Sequence, residues 1–471
     1  MKADKCKNQD LILKGNMLHA ILALAVPVVI NSFLQTMYNL TDTYWLGQIG
    51  TDQLAAINLV TPVQNIIINF GTGITVAGSV LIAQYIGAGE KENARSMANQ
   101  IFICAMCFAL VCSTACFLAT PAIVGWLGAD GATFRHAQIY LQIVIWDMPF
   151  LFMVNIFSAI HQAQGDTVRP MLLNLGGITL NMCLDPLLMI VLQMGTAGAA
   201  LATLVSKAVP AVVAFCLLNS RKKDVALDVR HMRFQKDKLK LILSIGLPTA
   251  IGGSTMQLGF LLMSKNVYVY GTQAMAAYGI GNKVNSLITL PTNAVGSAVA
   301  TIVGQNMGAK QRDRAEKGYL ISMVISIAFL FTGGMILSRD MISTAIVSIF
   351  SDDEKVIAMA ADFLSIMAFW CFTNGVYNAT TGLFQGTGHT EVTMAVDATR
   401  LWVFRFLTLW FCETILHMGV RSVWYSVVVS NGISAVILFI LYRSGLWKKP
   451  RIKMETDRKQ RTDESDTAEC T

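Results

Sequence analysis

About twelve long apolar runs, separated by short polar breaks, fill the sequence between residues 17 and 443. A helix needs roughly 20 mostly apolar residues to cross a bilayer. The runs are longer than barrel strands and do not alternate apolar with polar residues, so helices are the spanning structure that satisfies the backbone. The predicted spans are residues 17–46, 53–85, 94–120, 136–162, 170–191, 197–219, 239–265, 274–306, 315–338, 356–385, 391–412 and 421–443.

The composition agrees with an all-α membrane protein of twelve transmembrane helices. Apolar residues make up 54% of the chain and charged residues 14%, and the mean hydropathy is +0.53. A soluble domain of this length does not have these values. The first apolar run is too long for a cleavable signal peptide, so we expect it to remain as the first helix.

The net charge of +7 could indicate nucleic-acid binding, but the basic residues follow a membrane pattern. With a cytoplasmic N-terminus, the basic clusters fall on one side of the membrane: Lys2, Lys5, Lys7, Lys14, the 221–240 and 310–317 loops, and the tail after Arg443. The opposite side has scattered cases such as Arg135, Arg339, Lys355 and Arg421. Positive residues accumulate in cytoplasmic loops, so we expect a multi-pass protein of the cell membrane with both termini in the cytoplasm.

An internal repeat divides the chain into two halves. A shift of 221 residues pairs Pro27 with Pro248, Gln84 with Gln305, Gly87-Ala88 with Gly308-Ala309, and Gln164-Gly165 with Gln385-Gly386. Each half has six predicted helices, so both halves cross the membrane in the same direction, and a pseudo-two-fold axis along the membrane normal should relate them. Such halves suit a transporter that rocks about a central cavity.

The repeat also sets the predicted domain boundaries. They are a cytoplasmic N-terminus (1–16), a first lobe with helices 1–6 (17–219), a cytoplasmic linker (220–238), a second lobe with helices 7–12 (239–443) and a disordered cytoplasmic tail (444–471). The linker is basic, which suits topology and contact with anionic lipids. The tail is polar and mixed in charge, which favours disorder.

Five stretches together resemble the multidrug and toxic compound extrusion (MATE) family, and within it the archaeal and bacterial DinF-like branch. They are "NLTDTYWLGQIG", "AQYIGAGEKENAR", "GQNMGAKQRDRA", "QAQGDTVRP" and "LNMCLDPLLMI", and the resemblance covers about residues 15–443. It implies a secondary antiporter that exports amphipathic, often cationic, organic compounds in exchange for Na⁺ or H⁺. We expect small organic substrates and membrane lipids as partners, a monomer, and no cofactor.

Two acids within the apolar runs are the first candidates for the coupling site. A charge at the bilayer centre costs roughly 2.5–3.5 kcal/mol on insertion scales, so Asp42 and Asp185 each need a reason. Asp185 lies about 22 Å along its helix from Pro170, and Thr203 lies about 9 Å along the next helix, on a 1.5 Å rise per residue. Asn181 precedes Asp185 by one turn and shares its face.

The four side chains of Asp42, Asn181, Asp185 and Thr203 can therefore meet at one depth in the outer half of the membrane. Their oxygens could bind a hard cation such as Na⁺, and the acids could bind a proton instead. The family resemblance associates these four positions with cation coupling, and Tyr140 is a further candidate at similar depth. Alternatively, Asp42 is a boundary acid in contact with water and Asp185 a satisfied structural acid.

The two halves differ at these positions. Under the 221-residue shift Asp42, Asn181, Asp185 and Thr203 correspond to Met263, Trp402, Phe406 and Trp424, so cation coupling should be confined to the first lobe. The second lobe also lacks the helix-7 glutamate that another MATE branch uses. It has intramembrane basic residues instead: Lys283, Arg400 and Arg405.

The remaining candidates are structural or line a substrate cavity. Asp397 lies three residues before Arg400, which predicts a local ion pair. Structural roles are favoured for Lys283 and Arg405, but both could face the substrate cavity, and so could Gln35 and Asn155. Pro27 removes a backbone donor from the first helix and is a candidate hinge.

Two other classes of function remain as alternatives. A lipid-intermediate flippase of the same superfamily is one, although such flippases often have more helices and a strongly basic central cavity. A membrane-embedded enzyme is the other, but the sequence has no HExxH, no P-loop lysine motif and no nucleophile elbow. The cysteines at 104, 107, 112 and 116 lie in one apolar run without nearby His or acid, so we interpret them as packing or lipid-facing residues.

Overall fold

The computed structural model describes residues 9–49, 51–219, 227, 234–449 and 451, and the regular elements within these ranges are helices. Most of the predicted linker 220–238 and of the predicted tail 444–471 lies outside the described residues. The all-α architecture predicted from the apolar runs is confirmed.

Six helices form the first lobe, and each lies within a few residues of a predicted span. They are α1 (Met17–Ile49), α2 (Thr51–Gly87), α3 (Lys91–Trp126), α4 (Gly131–Ala163), α5 (Val168–Val191) and α6 (Gly195–Leu218). Helix α4 includes a short 3₁₀ segment, Ile145–Asp147, and α5 ends in a π-helical segment, Leu187–Val191. Both irregular segments adjoin an intramembrane acid.

The second lobe repeats this order. Its helices are α7 (Lys236–Tyr268), α8 (Thr272–Gly308), α9 (Arg312–Leu337), α10 (Glu354–Trp370 and Phe372–Thr387, bent by 54°), α11 (Thr390–Thr399, the π-helical Arg400–Arg405, and Phe406–Thr414) and α12 (Arg421–Arg443). A short helix, Asp340–Val347, precedes α10.

Ten helices in the described ranges are long and apolar enough to cross a membrane, or eleven when the bent pair of α10 is one span. The remaining predicted span, 391–412, is α11, which consists of three consecutive segments and carries Asp397, Arg400 and Arg405. The π-helical turn in its middle widens the helix where these charges lie.

The two lobes interlock at the end of the molecule where the N-terminal residues pack. Gln9 Nε2 donates to the Ile86 carbonyl at 3.2 Å, which places Gln9 beside the end of α2. At the same end Gln84 Nε2 donates to the Gly386 carbonyl at 2.8 Å, and Gln305 Nε2 donates to the Ala163 carbonyl at 2.7 Å. Gln84 and Gln305 are related by the repeat, so the two hydrogen bonds form a pseudo-symmetric latch between the lobes.

Two glycines allow this close approach. A Cβ at Gly87 would lie 1.9 Å from the carbonyl oxygen of Gln305, and a Cβ at Gly308 would lie 1.9 Å from that of Gln84. Such a separation is far inside van der Waals contact, so no side chain fits at either position. The repeated Gln-x-x-Gly segments of α2 and α8 thus account for the tightest contact between the lobes.

Aromatic side chains fill the interior of the second lobe. Trp424 stacks on Tyr278 with ring centroids 6.1 Å apart and contacts Phe363 at 4.6 Å, and Met263 packs in the same buried cluster. Met263 and Trp424 occupy the positions that correspond to Asp42 and Thr203. The predicted difference between the lobes therefore takes the form of an aromatic core in one and polar side chains in the other.

Candidate functional site

A cavity of about 580 Å³ lies inside the first lobe, between α1, α2, α4, α5 and α6. Its polar lining consists of Gln35, Tyr38, Asn39, Asp42, Thr43, Asn58, Thr61, Gln64, Asn65, Tyr140, Asp147, Asn174, Asn181, Thr203, Ser206 and Lys207. We call it the first-lobe cavity. The predicted residues Gln35, Asp42, Tyr140, Asn181 and Thr203 all line it.

Asp185 lies one helical turn after Asn181, which lines this cavity, and shares its face of α5. Its side chain is fully buried, and neither carboxylate oxygen has a hydrogen-bond partner in the described part of the chain. Asn181 is also buried, and its amide approaches the carboxylate without the geometry of a hydrogen bond. Asp42 interacts electrostatically with Asp185 across the site. Buried polar groups without partners are rare in native proteins and need a functional or structural explanation.

Tyr38 and Tyr140 complete the polar surroundings of the two acids. Tyr140 is buried and Tyr38 is half-buried, and both line the first-lobe cavity together with Asp42. Thr203 interacts with the Tyr38 hydroxyl. Tyr38 was not among the predicted site residues, although it lies one helical turn before Asp42 and on the same face of α1.

A buried ion pair between α4 and α6 is a second feature that was not predicted from the sequence. Lys207 Nζ on α6 lies 2.5 Å from Asp147 Oδ2 on α4. Asp147 is fully buried, and its Oδ1 has no hydrogen-bond partner among the described residues. Both residues lie within predicted spans, so the cost of intramembrane charge that drew attention to Asp42 and Asp185 could have identified them too.

Proline shapes the helices that position this ion pair. Pro149 lacks a backbone N–H and cannot donate to the Ile145 carbonyl four residues earlier. The hydroxyl of Ser113 donates to that carbonyl at 2.9 Å instead. The helix is interrupted by the 3₁₀ segment Ile145–Asp147 at this point, and Asp147 faces the cavity from the interruption.

Pro27, the candidate hinge, lies inside the continuous helix α1. It cannot donate to the Ala23 carbonyl, and the hydroxyl of Thr167 donates to that carbonyl at 3.4 Å. A side chain from the segment before α5 thus replaces a missing hydrogen bond of α1. Because α5 carries Asp185, the proline is coupled through this contact to the helix that holds the buried acid.

A second cavity of about 430 Å³ lies between the lobes, formed by α2 and α4 on one side and α8 and α10 on the other. Its lining includes Asn155, Ser158, Gln162, Asn293, Ser297, Asn378 and Gln385, and none of its lining residues is charged. We call it the inter-lobe cavity. Asn155, which was predicted to face a cavity together with Gln35, lies here, whereas Gln35 lies in the first-lobe cavity.

The basic residues of the second lobe line neither cavity. Arg405 donates to Ser430 Oγ and to Asn431 Oδ1, each at 3.1 Å, and Lys283 is exposed on α8. Arg400 forms the predicted ion pair with Asp397, at 3.4 Å. Lys283 and Arg405, which were candidates for the substrate cavity, thus line neither of the two cavities.

Acidic and thiol side chains of the described residues do not form a conventional metal site. No group of three or more His, Cys, Asp and Glu side chains there could hold a metal ion. The described cysteines, including Cys104, Cys107, Cys112 and Cys116, are free thiols. A cation in the first lobe would need the amide, hydroxyl and phenol oxygens beside Asp42 and Asp185.

Comparison with known proteins identifies the family whose sequences and structures this chain resembles. The MatE family model matches residues 27–187 and 248–411, and the two matches begin 221 residues apart, like the repeat. The probable multidrug resistance protein YoeA of Bacillus subtilis is 25% identical over 445 residues, which cover 91% of this chain and 93% of the relative.

Solved structures agree in fold. The crystal structure of MATE in complex with MaL6 has a TM-score of 0.88 at 25% identity, with coverage of 93% of this chain and 99% of that one. A multidrug resistance MATE transporter of the MOP superfamily, in an outward-facing conformation, has a TM-score of 0.86 at 25% identity, with 93% and 98% covered. The two matched halves and the shared fold show that this chain belongs to the MATE family of membrane transporters.

Proposed function

We propose that the protein exports amphipathic, often cationic, organic compounds from the cell in exchange for Na⁺ or H⁺. Because MATE proteins are transporters, the expectation that the chain is not an enzyme is confirmed. Export of drug-like compounds is supported by relatives described as multidrug resistance proteins. The exchange for a cation is inferred from the acidic and other polar side chains that line the first-lobe cavity.

The buried carboxylate of Asp185, which has no hydrogen-bond partner among the described residues, carries this proposal. An ionised carboxylate is costly to bury without a partner, and its cost falls when a cation or a proton binds. Asp42 and Asp185 interact across one site with the oxygens of Asn181 and Thr203 beside them. In the proposed cycle a cation from the outside binds here, and Tyr140 contributes to the same polar network.

Organic substrates occupy the inter-lobe cavity in this proposal. Its amide and hydroxyl side chains can hydrogen-bond varied compounds without selecting one charge. The cation and the substrate then bind at different places, and rocking of the lobes couples them. Release of the Gln84 and Gln305 latch opens the N-terminal end, and bending of α1 at Pro27 is the proposed link from Asp42 to that movement.

The finer assignments are supported by sequence and geometry together. The Asp42, Asn181, Asp185 and Thr203 set supports the DinF-like branch, and the aromatic core of the second lobe supports cation coupling in the first lobe alone. The distribution of basic residues supports a cytoplasmic position for both termini and for the latched end. We also propose a monomer in the cell membrane. The inter-lobe cavity lacks the basic lining expected of a lipid-intermediate flippase.

Transport driven by separately imposed gradients tests the proposal. Purified full-length protein in vesicles loaded with ethidium should release the dye several-fold faster under an inward Na⁺ gradient or an inward H⁺ gradient, whichever ion is coupled. A K⁺ gradient of equal size controls for osmotic and electrical effects, and Asp42→Asn protein controls for leakage. Dye release that is indifferent to both Na⁺ and H⁺ would contradict antiport.

A further inference from the structure

Lys207 places a positive charge inside the cavity that the transported cation is proposed to enter. Its side chain is 28% exposed, whereas its partner Asp147, which also lines the first-lobe cavity, is 1% exposed. Thr203, a proposed cation ligand, precedes it by four residues and shares its face of α6. The Cα atoms of the two residues therefore lie about 6 Å apart along the helix, on a rise of 1.5 Å per residue.

The position of Lys207 is unusual for a purely structural ion pair. A buried pair is stable when both partners are enclosed and fully hydrogen-bonded. Here Asp147 Oδ1 has no partner among the described residues, and the ammonium is partly open to the cavity. Lys207 also interacts electrostatically with Asp42 on the neighbouring helix α1. The pair thus has one fixed, enclosed partner and one partner that faces a second carboxylate.

Lysine is suited to exchange between two carboxylates. Its ammonium is a compact charge with three donors on a flexible four-carbon stem, so it can move without movement of the backbone. The charged and phenolic groups that face this space come from four helices. They are Tyr38 and Asp42 on α1, Tyr140 and Asp147 on α4, Asp185 on α5 and Lys207 on α6. Without a transported cation, three acids share one ammonium.

We propose that Lys207 is a tethered competitor of the transported cation, which moves from Asp147 to Asp42 when the cation leaves. This inference rests on the proposed cation coupling through Asp42. In the cation-free state the ammonium pairs with Asp42 in place of the cation, so Asp42 keeps a counter-charge while the lobes change conformation. When a cation binds at Asp42, Lys207 returns to Asp147, the partner that it contacts in the structure.

The proposal predicts shifts of opposite sign for the two halves of the ion pair. In Lys207→Gln the competitor is absent, so the concentration of the driving cation, Na⁺ or H⁺, at half-maximal ethidium efflux should fall by about tenfold, within the range typical of coupled sites. In Asp147→Asn the ammonium loses its alternative partner, so that concentration should rise by about tenfold. A pair that served structure alone would shift both variants in the same direction or in neither.

Two further variants distinguish the proposed effect on cation affinity from an effect of misfolding. The double variant Asp147→Asn/Lys207→Gln has no unpaired charge and should match the Lys207→Gln value. Lys265→Gln removes an exposed lysine from α7, outside both cavities, and should leave the value unchanged. Equal values in all variants, with wild-type efflux still driven by the cation and lost in Asp42→Asn, would overturn the role of Lys207 alone. Wild-type efflux without cation dependence would overturn the proposed antiport and this inference with it.

Discussion

Replacement of Asp185 by asparagine is expected to abolish cation-driven efflux while it raises the thermal stability of the protein. Asparagine has the shape of aspartate without its charge. Loss of one charged ligand should weaken cation binding by about 1.5–3 kcal/mol, or roughly 10- to 150-fold, so the site should stay largely empty at the cation concentration that half-saturates the wild-type protein. The same change removes an enclosed carboxylate whose oxygens have no partner among the described residues, which should stabilise the fold by about 1–3 kcal/mol.

A second buried acid provides the matched control. Asp397 accepts a hydrogen bond from the Tyr377 hydroxyl and forms an ion pair with Arg400, whose guanidinium lies 4.5 Å from the centre of the Tyr377 ring. Asp397→Asn should therefore destabilise the protein, by about 3–5 kcal/mol if the arginine charge is left unpaired. The cation concentration at half-maximal efflux should stay unchanged in that variant.

Melting temperature in detergent and efflux from vesicles measure the two effects separately. A stabilised and inactive Asp185→Asn protein beside a destabilised and cation-responsive Asp397→Asn protein is the expected pair of results. If Asp185→Asn protein melted at a lower temperature and still exported dye under the gradient, Asp185 would be a satisfied structural acid rather than a coupling residue.

Replacement of Gly87 or Gly308 by alanine is expected to force the lobes apart at the latched end. Each new methyl group would lie 1.9 Å from a backbone carbonyl oxygen of the other lobe, and backbone atoms cannot rotate away as a flexible side chain can. Overpacking of this kind costs about 1–3 kcal/mol or more. The cost applies to the closed arrangement alone, so the equilibrium should shift by the same amount toward proteins that are open at this end.

Spin labels at Glu92 and Asp313 can measure this opening. Both positions are exposed at the latched end, and they are equivalent under the 221-residue repeat. The distance distribution between the labels should move to longer values in Gly87→Ala and Gly308→Ala. Gly432→Ala on α12 is the matched control, because a Cβ there meets nothing within 4 Å. Unchanged distances in the Gly87 and Gly308 variants would show that the contact can relax locally.

The helices could be predicted from the sequence because each must bury its backbone in an apolar environment. The spans of α1 and α12 agree closely with the apolar runs at 17–46 and 421–443. Local irregularities could not be predicted in the same way. The 3₁₀ segment before Pro149 depends on Ser113 of another helix, and the position of a neighbouring hydroxyl is a property of the packed structure.

The candidate site was partly predictable for a similar reason. Helix depth brought Asp42, Asn181 and Thr203 to one level, because the rise per residue is fixed. The ion pair of Asp147 and Lys207 was missed because each charge was read as part of an apolar run. Arg405, in contrast, was noticed in the sequence, but its partners could not be predicted. In the structure its guanidinium donates hydrogen bonds to Ser430 and Asn431 on α12.

The Gln84 and Gln305 latch and the aromatic core around Trp424 show where a duplicated chain stays symmetric. At the latch each half is the surface against which the other half fits, so a change in one glycine has to be accommodated by the copy across the axis. Deep inside a lobe each half contacts mainly itself, and Met263 or Trp424 can replace Asp42 or Thr203 without a matching change elsewhere. The two halves thus stay equivalent in sequence where they contact each other. They can take on different functions in the lobe interiors, where they do not.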